Sequence, residues 1–241
     1  MLYCLEHGFA GVENLALIPG SVGASPMQNI GAYGVEIKDV FHSLEAFHLK
    51  DKTVHPFSRE DCRFGYRESV FKHHLRGQYV IASVTFKLFK NPVFHTSYGA
   101  IRQELEAMGV IELTIRNIAQ AVINIRSSKL PDWNVVGNAG SFFKNPEVEN
   151  RQYEDLKKLH PDVVAFPLAN GCTKLAAGWL IEQCGWKGYR SGDAGCYPKQ
   201  ALVLVNYGKA TGADIYALSE QILQSVKDKF GVTLEREVNI I

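Results

Sequence analysis

Four short segments carry side chains whose types and spacing suit chemistry. In RFGYRES (63–69), Gly65 permits a turn from which Tyr66 and Arg67 project. An arginine offers a fixed charge and a planar fork suited to a carboxylate; the plainer reading is a surface Tyr–Arg pair. In GNAGSFFKNP (137–146), Ser141 stands between Gly140 and the rings of Phe142 and Phe143. Walled by those rings it would sit away from bulk water, where its hydroxyl could deliver a proton to a strongly basic carbon centre. Lys144 and Asn145 are polar groups able to reach phosphate oxygens. The alternative is a turn between two core aromatics. In EREV (235–238), a strand would put Glu235 and Glu237 on one face, opposite Val232 and Leu234. One of them could be a functional carboxylate, or both could be solvated on a sheet edge. The loop 19–34 holds Gly20, Gly23, Gly31 and Gly34 among Ser21, Ser25, Gln28 and Asn29, with no charged residue before Glu36. Such a loop lets backbone N–H groups approach a phosphate or a flat ring closely. On composition alone a pair of tight turns is the commoner outcome.

Other chemistries are excluded. Ser141 has no His or Asp near it in sequence and no G-x-S-x-G surrounds it, so hydrolase chemistry is unsupported. The chain has neither G-x-G nor a Walker A loop. Its five cysteines form no C-x-x-C pair and no H-E-x-x-H occurs, so neither a disulfide framework nor a metal site is expected. Cysteine usage and the absence of a basic leader over Met1–Phe9 lead to the expectation of a cytoplasmic protein. Lys and Arg number 26 against 25 Asp and Glu, which gives no footprint for nucleic acid or an anionic membrane. No apolar run approaches the roughly 18 residues that span a bilayer.

The elements that must position these residues are mixed. Met1–Gly11 reads as the tail of a helix stopped by Gly8 or Gly11. Val40–Leu49 and Val80–Leu88 read as strands, the second with Val80, Ala82, Val84, Phe86 and Leu88 on its more deeply buried face. Ile115, Ile118, Val122 and Ile125 predict a helix with Thr114 as N-cap, which Pro131 forces to end. Leu175–Cys184 predicts a short helix closed by Gly185, and Ala201–Val205 a buried strand. Asp214–Phe230 predicts a long helix with a capping box from Thr211 to Asp214 and a stop at Gly231. A terminal strand, 232–241, follows. Without regular β-α-β spacing the class is α+β, with residues 89–130 carrying a first domain into a second.

Read in order, LALIPGSVGASPMQNIGAYGVEI, FGYRESVFK, SSKLPD, GNAGSFFKNP, KLAAGWLIEQCG, QALVLVN and LEREV resemble the UDP-N-acetylenolpyruvoylglucosamine reductase (MurB) family across essentially the whole chain. HTSYGAI around Tyr98 is similar to the longer, type I form. The resemblance implies part of an FAD-binding domain of the PCMH/vanillyl-alcohol-oxidase type over 1–126, an α+β substrate-binding domain over 127–231, and a terminal strand over 232–241 bearing a catalytic Glu. It implies that NADPH reduces bound FAD, and that the flavin passes hydride to the enolpyruvyl double bond of UDP-N-acetylglucosamine enolpyruvate. The product is UDP-N-acetylmuramate, a peptidoglycan precursor. Arg67 and Glu237 would hold the substrate carboxylate and stabilise the developing enolic charge, and Ser141 would protonate the intermediate. Tyr66, Tyr98, Lys129 and Asn145 would bind substrate, the last three gripping the uridine diphosphate. Pro19, Gly20, Gly23, Ser25, Asn29, Gly31 and Gly34 would touch flavin. A monomer is expected. The resemblance also implies about ninety further residues before the point matching Met1, so weak or no FAD binding is expected of the 241-residue chain alone. The rival expectations are a protein that holds a UDP-sugar without redox turnover, and another oxidoreductase of the same flavin fold.

Overall fold

In the computed structural model, which describes every residue except Gly99 and Ile241, the chain divides between Ser128 and Lys129 into two units. The first begins with helix α1 (Leu2–Glu6), followed by Gly8 at φ +71°, the left-handed exit expected of a glycine stop. The glycine-rich loop then leads into a two-residue hairpin, β1 (Gly31–Ala32) against β2 (Val35–Glu36). Tyr33 and Gly34 both turn at positive φ, +50° and +80°, as a type I′ turn requires.

A three-stranded antiparallel sheet follows, built from β3 (Phe41–His48), β4 (Thr53–Ser58) and, after helix α2 (Arg59–Cys62), β5 (Tyr79–Phe86), in the order β4-β3-β5. The burial expected along β5 is only half right. Its register against β3 passes from Ala46↔Ile81 to Glu45↔Ser83, which leaves Ala82 without a partner of its own. That bulge flips the alternation. Before it Tyr79 and Ile81 face the sheet's core and Val80 and Ala82 are exposed; after it Val84 and Phe86 turn inward.

The stretch 89–130, expected to carry a first domain into a second, spans the division at Ser128, and its residues 89–128 belong to the first unit. Helices α3 (Ile101–Ala107) and α4 (Ile115–Lys129) bury Ile101, Leu105, Ile118, Val122 and Ile125 with Leu5 and Ala16. Thr114 accepts the Asn117 amide at the start of α4, as an N-cap should.

The second unit has two antiparallel sheets. One orders β6 (Gly137–Ser141), β10 (Arg190–Ser191), β11 (Ala194–Cys196) and β12 (Val203–Asn206) as β10-β11-β12-β6. The other orders β7 (Glu147–Glu149), β8 (Ala165–Pro167) and β9 (Cys172–Leu175) as β7-β9-β8, with helix α5 (Asn150–Leu159) between β7 and β8. Helices α6 (Ala177–Gln183) and α7 (Gly212–Phe230) close over a core that includes Leu180, Ile181, Leu204, Ile222 and Val226.

Helix α6 starts two residues later than the apolar run predicts. Leu175 is held in β9 opposite Ala165, and the helix opens where Asn145 Oδ1 accepts the Ala177 N–H at 2.9 Å. Helix α7 has the capping box read from the sequence, and Gly231 ends it at φ +65°. The expected terminal strand is corrected. Residues 232–240 form no regular strand and make one isolated bridge, Arg236 to Phe143, while Val232 and Leu234 are buried in the core. The last residue of that expectation, Ile241, lies outside the described residues.

Candidate active site

Arg67 is built into the first unit by a tight turn. Gly65 and Glu68 exchange backbone hydrogen bonds of 3.0 and 3.3 Å, and Arg67 sits between them at φ +58°. Its guanidinium lies 5.2 Å from the Tyr66 ring centroid, and Nη2 donates to the Gly31 carbonyl at 2.5 Å. A Cβ on Gly31 would fall 2.8 Å from Arg67 Nη1 and 3.0 Å from the Val35 carbonyl. The glycine is therefore the condition for the arginine to lie on the hairpin.

Two polar side chains that are buried tie this turn to the glycine-rich loop. Asn29, fully buried at φ +47°, donates to the Gly65 carbonyl at 2.8 Å and accepts the Lys38 amide at 3.1 Å. Ser69 donates to the Met27 carbonyl at 2.5 Å. Both ends of the Asn29 amide are thus committed within the unit, and its side chain braces the loop rather than facing outward. Ser25 is buried too, donating to Val22. Pro19 and Gly20 are exposed, and Gly23 lies against the Ile81 carbonyl.

Gly34 faces Tyr98, with 3.5 Å from its absent Cβ to the tyrosine Cβ, and Tyr33 meets Tyr98 edge to face at 6.3 Å. Sequence reasoning missed Asn14, which joins these parts: buried, it donates to the carbonyls of Tyr33 and His95. Nothing in its local pattern marks it. Arg126 is also near. Burial lowers its pKa, and burial raises that of Tyr33 against the opposing pull of the Arg126 charge.

In the second unit, Ser141 ends β6 opposite Val203, and the next amide, Phe142, donates to Leu202 at 2.7 Å. Ser141 is exposed, so the expected shielding by the two rings is corrected: Phe142 and Phe143 both turn into the core instead. On the far side of 142–144 runs the C-terminal segment. Lys144 donates its amide to the Glu235 carbonyl at 2.8 Å, and Glu237 donates to the Phe142 carbonyl at 2.9 Å. That pairing brings Glu237 opposite Phe142, one register position from Ser141. Lys144 does not reach outward as a phosphate ligand. It is buried, with Nζ 2.6 Å from Glu235 Oε1. Asn145, its carbonyl spent on capping α6, keeps its amide nitrogen as a donor. Lys129, at the end of α4, is exposed. Among the described residues no cluster of three or more His, Cys, Asp or Glu could hold a metal ion.

The chain is of an α+β class that carries a cationic fork on a tight turn of its first unit and, in its second, an exposed alcohol beside a short ladder bearing a glutamate. Comparison with known proteins says which. A family model described as the C-terminal domain of UDP-N-acetylenolpyruvoylglucosamine reductase matches residues 131–241. UDP-N-acetylenolpyruvoylglucosamine reductase of Pseudomonas savastanoi pv. phaseolicola is 54% identical over 98% of this chain and 70% of its own length. That of Amoebophilus asiaticus is 52% identical over 100% and 71%. The crystal structure of the Thermus caldophilus enzyme (MurB) superposes with a TM-score of 0.65 at 25% identity, covering 99% of this chain and 66% of that one. The chain belongs to the UDP-N-acetylenolpyruvoylglucosamine reductase family, and it spans about 70% of the length of the curated relatives it matches.

Proposed function

We propose that this chain carries the catalytic groups for reducing UDP-N-acetylglucosamine enolpyruvate to UDP-N-acetylmuramate, with FAD as cofactor and NADPH as reductant, and that the first unit is part of a PCMH-type flavin domain. The relatives' names supply the substrate class. The observation that supports the reading is the pairing of 235–237 with 142–144, which brings the Glu237 backbone beside the end of β6 that carries Ser141.

The loop fits a flat, uncharged ring. Gly20 has nothing within 4 Å of where its Cβ would be, and Leu17, Val22 and Met27 in and beside the loop are exposed. Pro19, Gly20, Gly23 and Gly34 would hold the flavin, while Asn29, Ser25 and Gly31 hold the loop's shape. When bound, the flavin supplies the hydride for the enolpyruvyl double bond. Arg67 then binds the substrate carboxylate with a fork that cannot lose its charge, and offsets the negative charge that develops on it. The Ser141 hydroxyl gives its proton to the substrate carbon next to the carboxylate. Glu237 would act with Arg67 at the substrate carboxylate, where the enolic charge develops. Tyr66, Tyr98, Lys129 and the Asn145 amide nitrogen supply the remaining substrate contacts.

The test separates the two half-reactions in the presence of added FAD. Ser141→Ala should leave NADPH-driven flavin reduction intact and abolish NADPH oxidation that depends on the enolpyruvyl substrate. Equal loss of both would defeat the proton-donor role. Binding of a UDP-sugar with no NADPH oxidation in the unaltered chain would leave only a binding function.

A further inference from the structure

The C-terminal segment bearing Glu237 meets 142–144 through two backbone hydrogen bonds around one bridge, Arg236 to Phe143. A ladder this short leaves the direction of the segment's side chains to their further contacts. Arg236, the residue just before Glu237, reaches across to α7. Its Nε donates to Ser219 Oγ at 2.8 Å, Nη2 donates to Glu220 Oε1 at 2.6 Å, and its guanidinium carbon lies 4.4 Å from the Tyr216 ring centroid. Tyr216, Ser219 and Glu220 are three and four residues apart, so they form one face of the helix. Ser219 is fully buried and Arg236 is half-buried, so water competes poorly for the contact between them, while Glu220 and Tyr216 take the guanidinium at the surface. The neighbouring residue is fixed the other way, by the Glu235 carboxylate on the buried Lys144 ammonium.

We infer that Arg236 is a positioning residue for Glu237: its clamp on α7 fixes the segment from one side as the Phe142–Lys144 ladder fixes it from the other. The inference rests on the proposed function for the role of Glu237, and on geometry alone for the clamp. The alternation of the segment supports it. Glu235 and Glu237 belong to one phase, Arg236 to the other, so holding Arg236 down on α7 dictates where its neighbours point. A lysine could not replace it, since a point charge cannot take a hydroxyl and a carboxylate and stack on a ring at once.

The experiment uses the 241-residue chain, with Arg236→Lys and, as a milder break that leaves the arginine in place, Glu220→Gln. Hydrogen exchange is read at the Glu237 amide, with the Ile222 and Val226 amides of α7 as the folding control. Exchange at Glu237 should quicken by roughly ten-fold or more in Arg236→Lys and less in Glu220→Gln, with the α7 amides unchanged. An unchanged rate at Glu237 overturns the clamp, and so does a rise shared equally by α7. In parallel, calorimetry with UDP-N-acetylmuramate, which carries the carboxylate, is compared with UDP-N-acetylglucosamine, which lacks it. Arg236→Lys should weaken the first selectively, and its effect should vanish in the Glu237→Gln background. Additive losses overturn the positioning role. Quickened exchange in a chain whose unaltered form binds neither sugar keeps the clamp and defeats the functional reading.

Discussion

A single missing side chain governs the guanidinium of Arg67. The Gly31 carbonyl receives Nη2, and the space a Cβ would take at Gly31 is filled by Nη1. Gly31→Ala should therefore move the fork without altering its charge, whereas Arg67→Lys keeps the charge and loses the fork. Each should lower kcat/KM for the enolpyruvyl substrate by on the order of a hundred-fold, the size of losing one well-aimed donor to developing charge. Flavin reduction by NADPH should be spared in both. Steady-state kinetics beside a single-turnover flavin assay decides this; a Gly31→Ala enzyme with unchanged kcat/KM would show that the hairpin does not aim Arg67. Residues of this kind were legible in type and not in setting. Arg67 stands out in the sequence because a fork suits a carboxylate, but the dependence on Gly31, 36 residues away, is invisible without the hairpin. The resemblance makes Asn29 a flavin contact, and the structure adds a second task for its side chain. Buried, with Gly65 and Lys38 taking both ends of its amide, it is a strut.

Elements were most legible where local signals and tertiary packing agree. Helix α7 is the clearest: the Thr211 hydroxyl accepts the Asp214 amide at 3.2 Å and the Asp214 carboxylate accepts the Thr211 amide at 2.7 Å. Thr211→Ala should cost about 1 kcal/mol of stability, measured by denaturant unfolding. The cap also has a pH signature. The backbone N–H of Thr211 holds the Asp214 carboxyl below its usual value of 3.8. Its folded pKa lying below the unfolded one, the carboxylate's contribution is present above that pH and disappears as pH falls through the folded value. The stability gap between the unaltered chain and Asp214→Ala should therefore narrow below pH 3.8, and a gap that stays constant would remove the carboxylate from the cap. Where the sequence misled, a neighbour had overridden the local pattern. The bulge at Ala82 flips the alternation of β5, which no run of five apolar residues announces. Asn145 decides where α6 begins from 32 residues upstream. The terminal segment alternates like a strand, yet its partner 142–144 sends both phenylalanines into the core and offers only a short edge. The same inward turn exposes Ser141, so exclusion of water there has to come from whatever binds it.

Across the molecule each unit holds one deeply buried thiol, packed in an apolar cluster, that the proposed chemistry does not use. Cys62 packs with Phe41, Leu44 and Phe71 in the first unit, and Cys196 with Ala201 and Leu204 in the second. Burial pushes both thiols up to about 12, against 9.0 for a free one. The direction of the linkage follows. Below pH 9 both thiols are neutral whether the chain is folded or not, and their burial is unopposed. From pH 9 to about 12 the unfolded chain ionises them while the folded chain cannot, so unfolding gains and stability falls as pH rises. Cys4, Cys172 and Cys184 are only half-buried, so a thiol reagent at pH 8 should label those three first and reach Cys62 and Cys196 only as each unit opens. Cys62→Ala and Cys196→Ala together should flatten the alkaline limb of the stability curve relative to the parent, even though each alanine removes packing and lowers the plateau at neutral pH. Denaturant titrations at pH 7.5, 9 and 10.5 measure both quantities at once. Parallel curves for the parent and the double variant would mean the two thiols ionise as readily inside the fold as outside it, which their burial forbids.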